Sequence, residues 1–216
     1  MKYKSILFDL DGTLTDSGPG IRSGVRHALK RFGIEENDLE RLNRFIGPPL
    51  YDSFMRFYNI PPEEAKKGEM YFREYYSDKG IYENSLYDGV SDTLKRLNDA
   101  EKRLYIATSK PEFMARRVAE YFGIDKCFAA ICGSFTDGTG STKKEVIERL
   151  FENCPEISAQ SVIMVGDRKH DIDGAAACGI PCAAVLWGYG SKEEFEEHGA
   201  SYIVKTPAEL CSLLMS

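Results

Sequence analysis

The sequence lacks any long apolar run. No stretch approaches the roughly 18 uninterrupted apolar residues that a membrane-spanning helix needs. The N-terminal segment MKYKSILFDLDG reaches its first acidic residues after a short apolar run, which is unlike a secretory signal peptide. We therefore expect a cytoplasmic protein with no membrane partner.

Concentrated positive charge is also absent. The 28 Lys and Arg residues are outnumbered by 34 Asp and Glu residues, the formal net charge is -6 at pH 7, and the basic residues are scattered along the chain. Binding to the phosphate backbone of a nucleic acid requires a concentrated basic face. We therefore expect no nucleic-acid partner.

Paired cysteines and clustered histidines are missing as well. The six cysteines form no C-x-x-C pair, and the three histidines do not group with them. This pattern does not favour a zinc site. A chain of 216 residues with 43% hydrophobic residues can build a sizeable core without disulfides. We expect the cysteines to be reduced and mostly part of that core.

From residue 84 onward, short apolar runs alternate with amphipathic ones. This alternation predicts an α/β fold with a doubly wound parallel sheet. The apolar runs are nearly continuous, as expected for strands that helices cover on both faces. The predicted strands are 3–9, 103–109, 128–133, 161–167, 181–188 and 201–205, and the predicted helices after residue 84 are 111–123, 143–154, 171–179, 192–199 and 207–215.

A long segment separates the first two predicted strands. Amphipathic patterns predict helices at 21–33, 50–60 and 62–80, with prolines between them. We interpret residues 15–81 as a helical insertion. Eight of its aromatic residues are expected to form the insertion's own core: Phe45, Phe54, Phe57, Tyr58, Tyr71, Phe72, Tyr75 and Tyr76.

Acidic residues follow two of the predicted strands. Asp9 is the last residue of the first strand, with Asp11 two residues later, and Asp167 ends the strand 161–167, with Asp171 one helical turn later. If these two strands lie side by side, their acids meet in one crevice at the carboxyl ends of the sheet. Carboxylates at such distances raise one another's pKa.

A hard divalent cation would relieve this repulsion. Oxygen ligands without a His or Cys cluster indicate Mg²⁺ rather than Zn²⁺. Gly12 bends the backbone directly after Asp11, so Asp9 and Asp11 can take different roles. One can act as a nucleophile while the other handles protons.

Two further features fit a phosphoryl group. Thr108 and Ser109 end a predicted strand just before Pro111 opens a helix, so hydroxyl and N–H groups face the same crevice. Lys143 starts another helix and can neutralise a phosphate, and Lys144 is the competing candidate because adjacent helical residues point in different directions. Each of these features alone is common in α/β proteins. Their occurrence together, each at the end of a predicted strand or the start of the next helix, indicates a phosphoryl-transfer site.

Four segments resemble the motifs of the haloacid dehalogenase-like hydrolase superfamily. DLDGTLTDS is similar to its first motif, ATSK to its second, the lysine of STKKEVI to its third and GDRKHDIDGA to its fourth. The insertion resembles the helical cap of a subgroup that includes phosphoglycolate phosphatases, β-phosphoglucomutases and some 5'-nucleotidases. The resemblance implies a Rossmann-like core of residues 1–14 and 82–216 and a cap of residues 15–81.

The resemblance also implies how the acids divide the chemistry. Asp9 would be the nucleophile that accepts the phosphoryl group and would bind Mg²⁺ through its other oxygen. Asp11 would be the general acid to the leaving group and then the general base for water, and its backbone carbonyl would contact the metal. Asp167 would be a metal ligand, supported by Asp171 through water or an indirect contact.

The remaining implied roles concern the phosphate. Thr108 and the amide of Ser109 would hold the phosphoryl oxygens, and Lys143 would bridge Asp9 and the phosphate. Lys143 is preferred over Lys144 because related sequences read N-K-x-E-V-I at this place.

The resemblance implies a Mg²⁺-dependent phosphatase that hydrolyses a small phosphorylated metabolite through an aspartyl-phosphate. The cap looks most like that of phosphoglycolate phosphatases, with a 5'-nucleotidase as the alternative and a β-phosphoglucomutase-type phosphomutase as a weaker one. A dehalogenase would not use the acid at Asp11, and a non-enzymatic scaffold would be natural only if one of the acids were replaced. We expect a monomer or a weak dimer.

Substrate choice is expected to depend on the insertion. The loop RFIGPPL, residues 44–50, contains a stiff turn formed by Gly47 and two prolines. Arg44 in this loop can pair with a carboxylate or a second phosphate of the substrate. The alternative is that Arg44 is a solvated surface residue.

Overall fold

The computed structural model of the protein describes residues 2–216. Short apolar segments form strands, and amphipathic segments form the helices between them. The strands are β1 (Ser5–Phe8), β2 (Thr15–Asp16), β3 (Ser85–Leu86), β4 (Arg103–Pro111), β5 (Ala130–Ser134), β6 (Val162–Gly166), β7 (Cys182–Val185) and β8 (Tyr202–Val204). The helices are α1 (Gly18–Arg31), α2 (Leu39–Asn43), α3 (Leu50–Tyr58), α4 (Pro62–Tyr76), α5 (Val90–Asp99), α6 (Glu112–Tyr121), α7 (Lys143–Asn153), α8 (Lys169–Ala177), α9 (Lys192–Glu197) and α10 (Pro207–Met215).

Six of the strands form one parallel sheet. Their order is β5-β4-β1-β6-β7-β8. The chain moves outward from β1 through β4 to β5 and then returns to place β6 on the other side of β1. This confirms the predicted doubly wound parallel sheet, and it places the reversal of strand order between β1 and β6, where ligands bind in such sheets.

The continuous apolar strands are buried on both faces. Every residue of β1, β6 and β7 is buried. The helices α7 and α8 pack on one face of the sheet through Val146, Ile147 and Ile172, which join Leu7 and Met164 in a single hydrophobic cluster. The strand ends therefore project from a closely packed sheet centre.

The chain divides into two compact units. One contains the residues up to Asp16 together with Leu86–Ser216, and the other contains Ser17–Ser85. The segment predicted as a cap was 15–81, and its role as a cap stays a prediction. The short strands β2 and β3 lie at the two points where the chain passes from one unit to the other.

Aromatic residues pack within the second unit. Phe45, Phe54, Phe72 and Tyr76 are buried, while the other four aromatics named for this segment are partly exposed. The ring centroids of Phe45 and Phe54 lie 5.1 Å apart, and Phe72 stacks on Tyr76 at 4.9 Å. Gly24 of α1 makes room for Phe72, because a Cβ at that glycine would lie 2.7 Å from the ring.

Two helices were not predicted. The five-residue α2 is too short to show a periodic pattern, and the side chain of Asp38 caps it by accepting from the amides of Glu40 and Arg41. The other is α5, which precedes β4. The strand β4 also extends to Pro111, two residues beyond its predicted end.

The cysteines and the helix lengths bear on two of the sequence-based expectations. All six cysteines are free, and four of them are buried. No helix within residues 2–216 is long and apolar enough to cross a membrane.

Candidate active site

The site begins at the carboxyl ends of β1 and β6. These strands pair in parallel with Phe8 opposite Val165, and the amide of Asp9 donates to the carbonyl of Val165 at 2.9 Å. Asp9 directly follows β1, and Asp167 directly follows β6. The two acids that the sequence places 158 residues apart therefore lie at neighbouring strand ends.

Three acids converge at this point. Carboxylate oxygens of Asp9, Asp167 and Asp171 all lie within 4.8 Å of one another. Asp171 reaches the cluster from the first turn of α8, where its Oδ2 accepts from the amide of Arg168 at 3.1 Å. Asp167 and Asp171 are buried.

Lys143 is the cation of the cluster. Its side chain is 2% exposed, and its Nζ lies 2.9 Å from Asp9 Oδ1 and 2.8 Å from Asp171 Oδ1. Nζ also donates to the carbonyl oxygen of Ala107 at 2.9 Å. A capping box between Thr142 and Glu145 fixes the start of α7 and so the direction of Lys143.

Lys144 points elsewhere. Its Nζ lies 3.6 Å from Glu148 Oε1, and both side chains are about half exposed. The structure therefore brings Lys143, and not Lys144, into contact with the acids.

Burial and like charge perturb the acids. Burial raises the pKa of Asp9 to about 6, Lys143 lowers it, and Asp171 adds to the rise. Burial also raises the pKa of Asp167 well above its usual range, and the charges of Asp171 and Asp9 act in the same direction. Burial disfavours the charged form of Lys143, but the carboxylates of Asp171 and Asp9 outweigh this and raise its pKa.

These residues fit a divalent cation. The cluster has three carboxyl groups and one ammonium group, which contacts Asp9 and Asp171, so acidic groups are in excess in a largely buried place. The ligand atoms are all oxygens, which suits Mg²⁺. A divalent ion would balance the excess charge, and Asp9, Asp167 and Asp171 are the side chains that would hold it.

The acid Asp11 lies outside the three-acid cluster. Its Oδ2 accepts from Lys110 Nζ at 2.8 Å, in an ion pair whose side chains are 22% and 6% exposed. Gly12 follows with a φ of 87°, a left-handed conformation that turns the backbone away from the strand. A Cβ at Gly12 would lie 2.2 Å from Asp167 Oδ2, so only glycine fits beside this acid.

Thr108 and Ser109, two of the three residues predicted to bind the phosphate, differ in their contacts. The hydroxyl of Thr108 hydrogen-bonds the carboxylate of Asp9, and Thr108 is buried. Ser109 is exposed at the end of β4. The register between β4 and β5 shifts between Ala107 and Pro111, so the chain bends where these residues lie.

The loop after β7 supplies contacts that were not predicted. The amide of Tyr189 donates to Asp167 Oδ2 at 2.8 Å, and the indole of Trp187 donates to the carbonyl of Thr13 at 2.9 Å. Gly188 between them is close to Asp167, because a Cβ there would lie 2.4 Å from the Cβ of that acid. The sequence feature that could have indicated these contacts is the pair of glycines in WGYG, which lies at the end of a predicted strand.

Arg44 belongs to the second unit. It is the C-terminal capping residue that follows α2, it is exposed, and its guanidinium carbon lies 5.9 Å from the centroid of the Phe57 ring. A contact between Arg44 and a substrate stays a prediction.

The sequence is similar to a known family and to several named proteins. A family model described as haloacid dehalogenase-like hydrolase matches residues 6–185. The chain is 42% identical to a 5'-nucleotidase of Pseudomonas aeruginosa, covering 100% of this chain and 97% of that protein. It is 38% identical to the tyrosine-protein kinase PtkA of Mycobacterium tuberculosis, covering 96% and 70%. It is 26% identical to a phosphoglycolate phosphatase of Vibrio parahaemolyticus, covering 98% and 96%.

The fold is similar to that of a crystallised protein from Clostridium acetobutylicum described as a predicted phosphatase. The TM-score is 0.94 at 42% identity, and the match covers 100% of this chain and 99% of that one. The likeness therefore includes the core sheet and the inserted segment.

Proposed function

The chain belongs to the haloacid dehalogenase-like hydrolase family and is one of its phosphatases, and on this basis we propose that it is a Mg²⁺-dependent enzyme that hydrolyses small phosphorylated metabolites through an aspartyl-phosphate at Asp9. The observation that carries the proposal is the meeting of Asp9, Asp167 and Asp171 around Lys143. A phosphoryl group needs positive charge and a nucleophile at one point, and this cluster provides both.

The first step transfers the phosphoryl group to the enzyme. A carboxylate oxygen of Asp9 attacks phosphorus, the bond between phosphorus and the leaving oxygen breaks, and Asp11 gives its proton to that oxygen. Lys143 offsets negative charge beside Asp9, and the Thr108 hydroxyl orients the carboxylate.

The second step returns the enzyme to its starting state. Water attacks phosphorus, Asp11 accepts a proton from that water, and the bond between phosphorus and Asp9 breaks to release inorganic phosphate. A bound Mg²⁺ supplies charge neutralisation for the phosphoryl oxygens. Asp9, Asp167 and Asp171 would hold the ion, together with the backbone carbonyl of Asp11.

For the substrate we favour a nucleoside monophosphate. The support is the relative named 5'-nucleotidase, which is 42% identical over the full chain, whereas the relative named phosphoglycolate phosphatase is 26% identical. This reverses the order of the two candidates that the sequence alone favoured. Phosphoglycolate is the second candidate, and Arg44 is the residue we would expect to contact its carboxylate.

Two other reactions of the superfamily are alternatives to phosphate hydrolysis. Dehalogenation needs no proton donor, so the acid at Asp11 favours phosphoryl transfer. A phosphomutase uses the same acids and differs in returning the phosphoryl group to sugar instead of water. Chromatography of the products formed from a hexose phosphate separates these two outcomes.

The experiment that tests the proposal is a screen of phosphorylated metabolites with the purified chain. Nucleoside monophosphates, phosphoglycolate and hexose phosphates are ranked by kcat/KM with and without Mg²⁺, and Asp9→Asn is the control. We expect Mg²⁺-dependent phosphate release that is highest for a nucleoside monophosphate and absent in the variant. Turnover that is indifferent to chelation, or unchanged in the variant, would contradict the proposal.

A further inference from the structure

A lysine outside the three-acid cluster holds the side chain of Asp11. Lys110 Nζ lies 2.8 Å from Asp11 Oδ2, although the two residues are 99 positions apart. The lysine side chain is 6% exposed. Taking a lysine out of water is costly unless a partner compensates it, so this ion pair is a specific feature of the site.

The end of β4 fixes the backbone of Lys110. The register with β5 shifts between Ala107 and Pro111, and the amide of Lys110 donates to the hydroxyl of Thr108 at 3.3 Å. The carbonyl of Lys110 packs against Gly133, where a Cβ would lie 2.4 Å from its oxygen. The side chain of Lys110 therefore projects from β4 in a defined direction.

The two oxygens of Asp11 differ in their surroundings. Oδ2 is held by Lys110, whereas Oδ1 has no hydrogen-bond partner among the side chains and backbone of residues 2–216. Gly12 turns the backbone directly after Asp11. The ion pair with Lys110 is the contact that sets which oxygen is left for chemistry.

We propose that Lys110 is a positioning residue: it donates to Asp11 Oδ2, so that the proton of the acid form is carried by Oδ1 and passes from Oδ1 to the leaving-group oxygen. The inference rests on the proposed function, in which Asp11 gives a proton to that oxygen. Lys110 acts through Asp11 and need not touch the substrate.

The role predicts a dependence on the leaving group. Proton transfer requires the donor and acceptor atoms to be about 2.6–3.2 Å apart. An alkyl phosphate needs this proton because an alkoxide leaves poorly, whereas 2,4-dinitrophenolate leaves without one. Misplacing Asp11 therefore slows the first substrate and spares the second. A lysine that only attracted the phosphate would affect both substrates equally.

The test compares both substrates in the full chain with Lys110→Met, Lys110→Arg and the exposed control Lys192→Met. The parameter is kcat/KM, because it covers the steps up to departure of the leaving group. We expect Lys110→Met to lower kcat/KM for a primary alkyl phosphate by roughly 10- to 100-fold and to leave 2,4-dinitrophenyl phosphate nearly unchanged. Arginine should restore most of the loss, and Lys192→Met should change neither substrate.

Activity on 2,4-dinitrophenyl phosphate also reports that the variant is folded. If Lys110→Met does not fold, Lys110→Gln replaces it, since glutamine keeps a hydrogen-bond donor without the charge, and an intermediate selective loss is expected. Equal losses on the two substrates would overturn the inference. Asp11→Asn separates this outcome from failure of the proposed function. If Asp11→Asn loses activity on the alkyl phosphate selectively and Lys110→Met does not, only the role of the lysine is refuted. If Asp11→Asn shows no selective loss, the proton transfer itself is refuted.

Discussion

At the scale of the residue, the positive charge of Lys143 compensates the negative charge of the acids that it contacts. Its ammonium touches oxygens of Asp9, Asp171 and Ala107, and almost none of it reaches solvent. Removing one partner of a buried ion pair leaves uncompensated charge, which is more damaging than losing the attraction alone. Stability and chemistry therefore depend on the same side chain.

We predict that Lys143→Met abolishes turnover and lowers the free energy of unfolding by about 3–5 kcal/mol in metal-free buffer. The loss should shrink as pH falls, because protonation removes the uncompensated charge of the acids. Urea denaturation at several pH values measures it.

The matched control is Lys144→Met, one residue away. Lys144 forms an exposed pair with Glu148, and such pairs contribute about 0.3–0.5 kcal/mol. Equal effects of the two substitutions would contradict the assignment of the site lysine.

Asp9 and Asp167 could be predicted because each directly follows an apolar strand, and the carboxyl ends of parallel strands share one edge. Lys110 could not be predicted to pair with Asp11, because the contact depends on a register shift in β4 that leaves no pattern in the sequence. The amide of Tyr189 was missed for a related reason. Any residue type carries a backbone N–H, so its place beside Asp167 is visible only in three dimensions.

At the scale of the element, the close contact of α7 and α8 sets the position of Lys143. Gly174 in α8 has no side chain, and a Cβ there would lie 2.6 Å from the Cβ of Lys143 and 3.0 Å from the amide nitrogen of Lys144. The two helices can approach this closely only because residue 174 is glycine.

We predict that Gly174→Ala destabilises the chain by about 1–3 kcal/mol through overpacking. Alanine would otherwise favour a helix over glycine by about 1 kcal/mol. The variant should also lose activity, because the added methyl group displaces Lys143. Urea denaturation and kcat for the best substrate measure the two effects.

Ala176→Gly in the exposed part of the same helix is the control. It should cost about 1 kcal/mol of stability through helix propensity alone and leave kcat unchanged. A Gly174→Ala variant that is more stable than the wild type would contradict the close contact.

Elements with a long apolar or periodic pattern could be predicted, and short ones could not. The strands of the main sheet are buried on both faces, so their sequences are continuously apolar and easily recognised. The helix α2 has five residues and depends on the Asp38 cap, which is a local contact rather than a periodic pattern.

At the scale of the whole molecule, the acid cluster links metal binding to the stability of the fold. In the metal-free chain, the raised pKa values of Asp9 and Asp167 mean that the folded state holds protons more tightly than the unfolded state. These groups contribute their full stability at pH values below 3.8, the usual pKa of an aspartate. The contribution of Asp9 is lost as the pH rises through about 6, its pKa in the folded state.

We predict that Mg²⁺ raises the melting temperature more at about pH 8 than at about pH 5, because the ion competes with protons for the same carboxylates. Calorimetry in EDTA and in Mg²⁺ at both pH values measures the shift. A stabilisation that is the same at both pH values, or no stabilisation, would place the ion elsewhere.

The fold class could be predicted from the sequence because the alternation of strands and helices permits few topologies. Residues 9 and 167 then meet if the two strands that precede them are neighbours, and the observed strand order shows that they are. The choice of substrate could not be predicted in the same way, since it depends on side-chain contacts in loops such as residues 44–50, where no periodic pattern constrains the structure.

The measurement that tests the central claim most directly is chemical trapping of the phosphoryl enzyme. The full chain is mixed with substrate for less than one turnover, quenched in acid and reduced with borohydride, which converts an aspartyl-phosphate to homoserine. Peptide mass spectrometry should find homoserine at position 9 in the wild type and none in Asp9→Asn. Homoserine at another acid, or none at any position despite phosphate release, would contradict the account.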